Sequence, residues 1–206
     1  MFQLINVILL QFLPRFKRTK TWRRFVALVI GFMIRTSHCG VTATISGLRL
    51  KPTEYHNMLH FFRSDGYEVQ ELYREWIRIA MERGNVVRVG GRVLINGDHI
   101  KIPKEGVRMP EIQMLHQESQ NSGKGRFIEG HIYGHIGAVI TDGKASRSLP
   151  LLTELHKSPP KGKATNRASG ETLVVQMVNM AGATAGAIGG PVVASLDAYF
   201  SKGSAI

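Results

Sequence analysis

A chain of 206 residues could form one ordinary domain or two small ones, and its 43% hydrophobic content supports a real core and excludes a disordered tail. The balance of 27 Lys+Arg against 15 Asp+Glu gives a formal charge of +12, which would hold a polyanion nearby through counterion release. The single cysteine, Cys39, excludes an internal disulfide framework and any zinc site built from several thiolates. That suits a reducing cytoplasm, and Cys39 itself reads as a small buried or half-buried residue.

In chain order, two apolar stretches come first, INVILLQFL and FVALVIGFMI. Neither reaches the roughly 18 to 20 apolar residues that a membrane span needs, and Arg15, Lys17, Arg18, Lys20, Arg23 and Arg24 lie between them. They are expected to be core-facing helices, with no stable membrane insertion. A basic cluster beside apolar helices also suits anionic lipid. Pro52 marks the start of a helix in LKPTEYHNMLHFF. In the run Val69 to Arg83, residues Val69, Leu72, Tyr73, Trp76, Ile77 and Ala80 recur at helical steps. Gly84 and Asn85 end this helical region, and the period changes. Two domains are therefore expected, helical over 1–84 and strand-rich over 85–206.

VVRVGGRVLINGDHIKI reads as a strand or hairpin leading to Asp98, followed by a polar connection from Pro103 to Arg126 with no clear period. FIEGHIYGHIGAVIT and SLPLLTELH read as strands joined at the turn signal Asp142-Gly143. SPPKGKATNRASG is a basic linker, with Lys161, Lys163 and Arg167 as phosphate-contact candidates. Ser169 is the expected cap of a helix through ETLVVQMVNMAGATAGA, with Glu171 in its first turn. Gly189, Gly190 and Pro191 stop that helix, and PVVASLDAYF is a short strand ending at Asp197. The order is helices, then strand, strand, strand, helix, strand. This is an α+β class.

Asp98 and Asp197 each follow a short apolar strand. A buried carboxylate needs neutralising, and oxygen ligands at the ends of adjacent strands suit Mg²⁺. On the residues alone, two solvated acids at turns are the commoner explanation. His131 and His135 share a strand face but stand roughly 13 Å apart, since each residue advances about 3.3 Å, so they cannot bind one ion together. They read as structural or DNA-facing. GATAGAIGG has no Gly-Lys-Ser/Thr after it and ends a helix, so close packing explains it better than a phosphate loop does. The basic clusters Arg15 to Arg24 and Lys157 to Arg167 are either solvated faces or phosphate contacts.

The long segment NGDHIKIPKEGVRMPEIQMLHQESQNSGKGRFIEGHIYGHIGAV resembles the first catalytic segment of bacterial insertion-sequence transposases with a DDE, ribonuclease-H-like catalytic domain. SLDAYF resembles their second acidic motif, and GVTATISGLRLKPTEYHNMLHFFRS their N-terminal helical region. The resemblance runs in order from about Phe25 to Phe200. It implies three antiparallel strands, a helix, and a fourth strand beside the first, with Asp98 and Asp197 brought together as catalytic residues that ligate Mg²⁺ or Mn²⁺. It also implies cleavage of transposon ends and their joining to target DNA, held by the basic N-terminal residues and linker.

Partners would be DNA, further copies of the chain or a full-length transposase, in the cytoplasm and at the nucleoid. His99, His131 and Lys101 would be neighbours of the site. The family's third acid, a Glu well beyond the second motif, has no counterpart before Ile206. The chain is therefore expected to be a partial ribonuclease-H-like domain, inactive or nearly so in strand transfer by itself. A non-enzymatic DNA binder that occupies transposon ends is the alternative.

Overall fold

The computed structural model describes residues 2–36, 40–104, 109–116, 127–157 and 172–197. Cys39, Ser169, Glu171, Lys161, Lys163 and Arg167 lie outside them. The chain is mixed α and β and divides into two compact units, Met1–Trp76 and Ile77–Ile206. No helix among the described residues is long and apolar enough to cross a membrane.

The first unit is helical: α1 (Phe2–Gln11), a 3-10 turn at Leu13–Arg15, α2 (Thr19–Ile34), α3 (Val41–Gly47), α4 (Glu54–Phe61) and the start of α5 (Val69–Arg83). Pro14 needs no backbone donor in the tight turn after α1. The core is aromatic. Phe25 lies 5.3 Å from Phe12 and 5.2 Å from Phe16 between ring centroids, and Phe61 stacks on Tyr67 at 4.7 Å. Such pairs add about 0.5–1.5 kcal/mol each beyond the area they bury. Where α2 meets α3, a Cβ on Gly31 would lie 2.4 Å from Thr44 Cγ2, so the helices approach this closely only because residue 31 has no side chain. Glu75 is 3% exposed and accepts from Arg15, Nη2 to Oε2 2.8 Å.

The second unit takes the C-terminal half of α5, whose Ile77 and Ala80 pack with Ala138 and Leu151. Its strands are β1 (Arg88–Val89), β2 (Arg92–Pro103), β3 (Gln113–His116), β4 (Phe127–Thr141), β5 (Ser146–Leu155) and β6 (Val192–Leu196), with α6 (Leu173–Ile188) before the last. β2 pairs antiparallel with β4, and β4 with β5 and β3. β6 returns parallel to β2. The principal order is thus β6-β2-β4-β5, a mixed sheet in which the fourth long strand lies beside the first.

Local chemistry explains the connections. At the β4–β5 turn, Asp142 Oδ1 accepts from the amides of Lys144 (2.9 Å) and Ala145 (2.8 Å), and Gly143 takes φ 85°, a conformation that favours glycine. These hydrogen bonds, with Ala145 foremost and then the Arg147 guanidinium, hold the Asp142 carboxyl down to about 2. The cap of α6 is Thr172, whose hydroxyl accepts from Val175 N at 3.2 Å. It stands directly before the apolar run, where extended backbone turns into helix. The expected period-free connection after Pro103 contains β3, whose Leu115 is buried. Four residues are too few to display an alternation.

Candidate metal and phosphate site on the open face of the sheet

Strand alternation assigns two faces to the sheet. A Cβ on Gly97 would meet Leu196, Ile136 and Met177 Sδ, and one on Gly134 would meet His156 Nε2 and Met180 Sδ. Gly97, Gly134 and Ile136 therefore face α6. Asp98, between Gly97 and His99, projects from the opposite, open face, where it is exposed.

The parallel ladder of β2 and β6 ends at the pair Gly97 and Leu196. One residue further along the chain stand Asp98, within β2, and Asp197, just past the end of β6, both exposed. Neighbouring strands lie about 4.8 Å apart, so two acids that are 99 positions apart in the chain become cross-strand neighbours. On the other side of β2, Asp98 is the register partner of His135, and His135 of Thr153. Nδ1 of His135 and the Thr153 hydroxyl share a hydrogen bond at 3.1 Å. A polar row, Asp98, His135 and Thr153, thus crosses three strands, with Asp197 following the end of the fourth beside it. Beside it, Ser148 Oγ donates to Asn96 Oδ1 at 2.9 Å across the gap left by Gly137.

Of the three residues expected to neighbour the site, His131 alone projects from the same face as Asp98. His99 and Lys101 alternate to the other face from Asp98. His99 keeps contact with Asp98 through the backbone, its amide donating to Asp98 Oδ1 at 2.7 Å. Lys101 Nζ donates to the His116 carbonyl at 3.0 Å. His131 is buried and donates from Nε2 to the Pro110 carbonyl at 2.8 Å, which makes it structural. His135 is the histidine beside Asp98. Alternation in the sequence places His131, Tyr133 and His135 on one face. Their opposition to β2, however, is set across the long connection between the strands, which local pattern does not encode.

Two carboxylates on adjacent strands, open to water, are a donor set that suits a hard cation sharing its shell with substrate phosphates. Among the described residues no group of three His, Cys, Asp or Glu side chains is arranged to hold an ion by itself. Glu154 pairs with Gly134 and so lies on the helix-facing side, away from Asp98. Behind the sheet, His156 is 1% exposed, and neither ring nitrogen has a hydrogen-bond partner among the described residues. Burial, and then the charge of His99, push its pKa below the usual imidazole value.

Of the basic residues, Lys17, Arg18, Lys20 and Arg23 are exposed around the start of α2. Arg15 is committed to Glu75, and Arg24 donates to Asn57 Oδ1 at 3.0 Å. Comparison with known proteins gives no matching family model, no matching curated protein and no matching solved structure.

Proposed function

We propose that the chain works on DNA as DDE-type transposases do, with Asp98 and Asp197 as the carboxylates of a metal-dependent phosphoryl-transfer site. The observation that carries this reading is the adjacency of the two acids at the end of a parallel strand pair, within the strand order that a ribonuclease-H-like core requires. Bound there, Mg²⁺ or Mn²⁺ would supply Lewis-acid activation of the attacking oxygen and charge stabilisation of the leaving oxygen. The chain's own contribution is positional. The β2–β6 ladder fixes the spacing of the carboxylates, Thr153 orients the His135 ring beside them, and the open face admits a phosphodiester. Lys17, Arg18, Lys20 and Arg23 supply sequence-independent phosphate contacts. Arg15 and Arg24 serve the helical packing instead.

The resemblance calls for a third acid, and Glu154, turned to the other face, does not supply it. Binding of DNA and ion together is the activity that these two acids and the exposed cations of the first unit would support. A DNA binder without chemistry is the second reading, favoured by the exposed cations of α2. Gel-shift titration of a duplex with and without Mg²⁺ separates the two. The leading reading predicts that the ion tightens DNA binding by the wild-type protein but not by Asp98→Asn or Asp197→Asn, with affinity falling steeply in salt. Equal binding with and without ion in all three proteins would leave only the second reading, and no binding at low salt would remove both.

A further inference from the structure

Helix α1 turns Ile5, Ile8 and Leu9 toward the rest of the first unit, where Leu9 is buried and Ile5 and Leu9 share a cavity wall with Val26 and Ile30 of α2. Its outer side is also apolar. Phe2 is 80% exposed, Leu4 53%, Val7 42% and Leu10 44%, and Gln3, Asn6 and Gln11 are the polar residues of the helix. Leu4, Val7 and Leu10, one turn apart, form an exposed apolar strip on the outer side with Gln3 and Asn6 beside them, while Phe2 stands at the rim of the cavity; such a strip marks an interaction surface.

The charge around it selects the partner. No Asp or Glu occurs before Glu54, whereas nine Lys and Arg do. Four of these, Lys17, Arg18, Lys20 and Arg23, are exposed in the segment that follows α1. A nucleic acid would use the cations but leave the apolar strip in water. An anionic bilayer uses both: the strip enters the boundary between headgroups and acyl chains, and the cations sit among the headgroups. We infer that the outer face of α1, with the basic segment after it, is a docking surface for anionic membrane, where the helix lies in the interface plane without spanning. Because the same cations would contact DNA phosphates, membrane and DNA compete for the first unit.

Cosedimentation of the full chain with vesicles tests this. Vesicles of equal parts phosphatidylcholine and phosphatidylserine should bind it at least about tenfold more tightly than phosphatidylcholine alone. Leu4→Glu/Val7→Glu/Leu10→Glu should abolish that binding yet leave the DNA gel shift intact, and Lys17→Glu/Lys20→Glu should weaken both. Duplex DNA should displace the wild-type protein from the vesicles. Should the triple variant fail to fold, Val7→Glu alone, at an exposed position, should still reduce vesicle binding. Absence of sedimentation with phosphatidylserine, vesicle binding unaffected by Val7→Glu, or a dimer in analytical ultracentrifugation that Val7→Glu dissolves would each overturn the inference.

Discussion

The helical unit and the sheet unit are organised by different physics. In the first, aromatic rings from several helices interlock around Phe25 and Phe61, and such packing tolerates small shifts because dispersion contacts are many and individually weak. In the second, hydrogen-bonded ladders set strand residues opposite definite partners, with one irregularity between β4 and β5 at Ile136 and Gly137. A slip of one residue would move Asp98 to the other face and separate it from both Asp197 and His135. A site that depends on two distant acids therefore belongs on the sheet. A surface that needs only charge and apolar area can belong on helices.

The contrast is sharpest in the sheet's centre. Ile136 is fully buried between α6 and the strands, and Ile136→Ala should cost about 4 kcal/mol through lost transfer energy and the cavity left behind. In the helical unit, Arg15→Ala should cost less, about 1–2 kcal/mol, because Arg15 is 41% exposed and water screens the pair with Glu75. Urea denaturation of both variants ranks them, and an Arg15→Ala effect larger than that of Ile136→Ala would reverse the comparison.

A pH effect should follow in size. Burial lowers the pKa of His156 in the fold, so the unfolded chain binds a proton that the folded chain resists. Its contribution is complete above the usual imidazole range and is lost as pH falls toward the depressed folded value. Thermal melting should therefore weaken on acidification below about pH 6.5, and His156→Leu should flatten that dependence. An unchanged slope in the variant would assign it to other groups. The smallest effect on stability is expected at the site itself. Asp98→Asn alters an exposed side chain and should change the free energy of unfolding by less than about 0.5 kcal/mol, while removing the ion response.

Legibility in the sequence followed the strength of local period. The strong helical recurrence of Val69 to Arg83 matches α5 at both ends, and the β-branched run from Phe127 to Thr141 matches β4. The hairpin at Asp142-Gly143 was legible because its turn chemistry is local. The α6 cap was not, since Ser169 and Thr172 both precede that helix and both are good capping residues. The short edge strand β3 has no period to read. At the site, Asp98 and Asp197 stood out as acids after apolar strands, but the partner of Asp98 across β4 did not. Which histidine meets it depends on register fixed over the long connection between β2 and β4.

The adjacency of Asp98 and Asp197 is tested most directly by calorimetric titration of Mn²⁺ into the wild-type protein, Asp98→Asn, Asp197→Asn and the double variant, each with a DNA duplex present. A shared ion predicts that either single substitution weakens binding by at least about tenfold and that the double variant is little worse than the singles, the non-additivity expected of groups acting on one ligand. Two independent losses that add in the double variant, or no loss in either single variant, would contradict a common site.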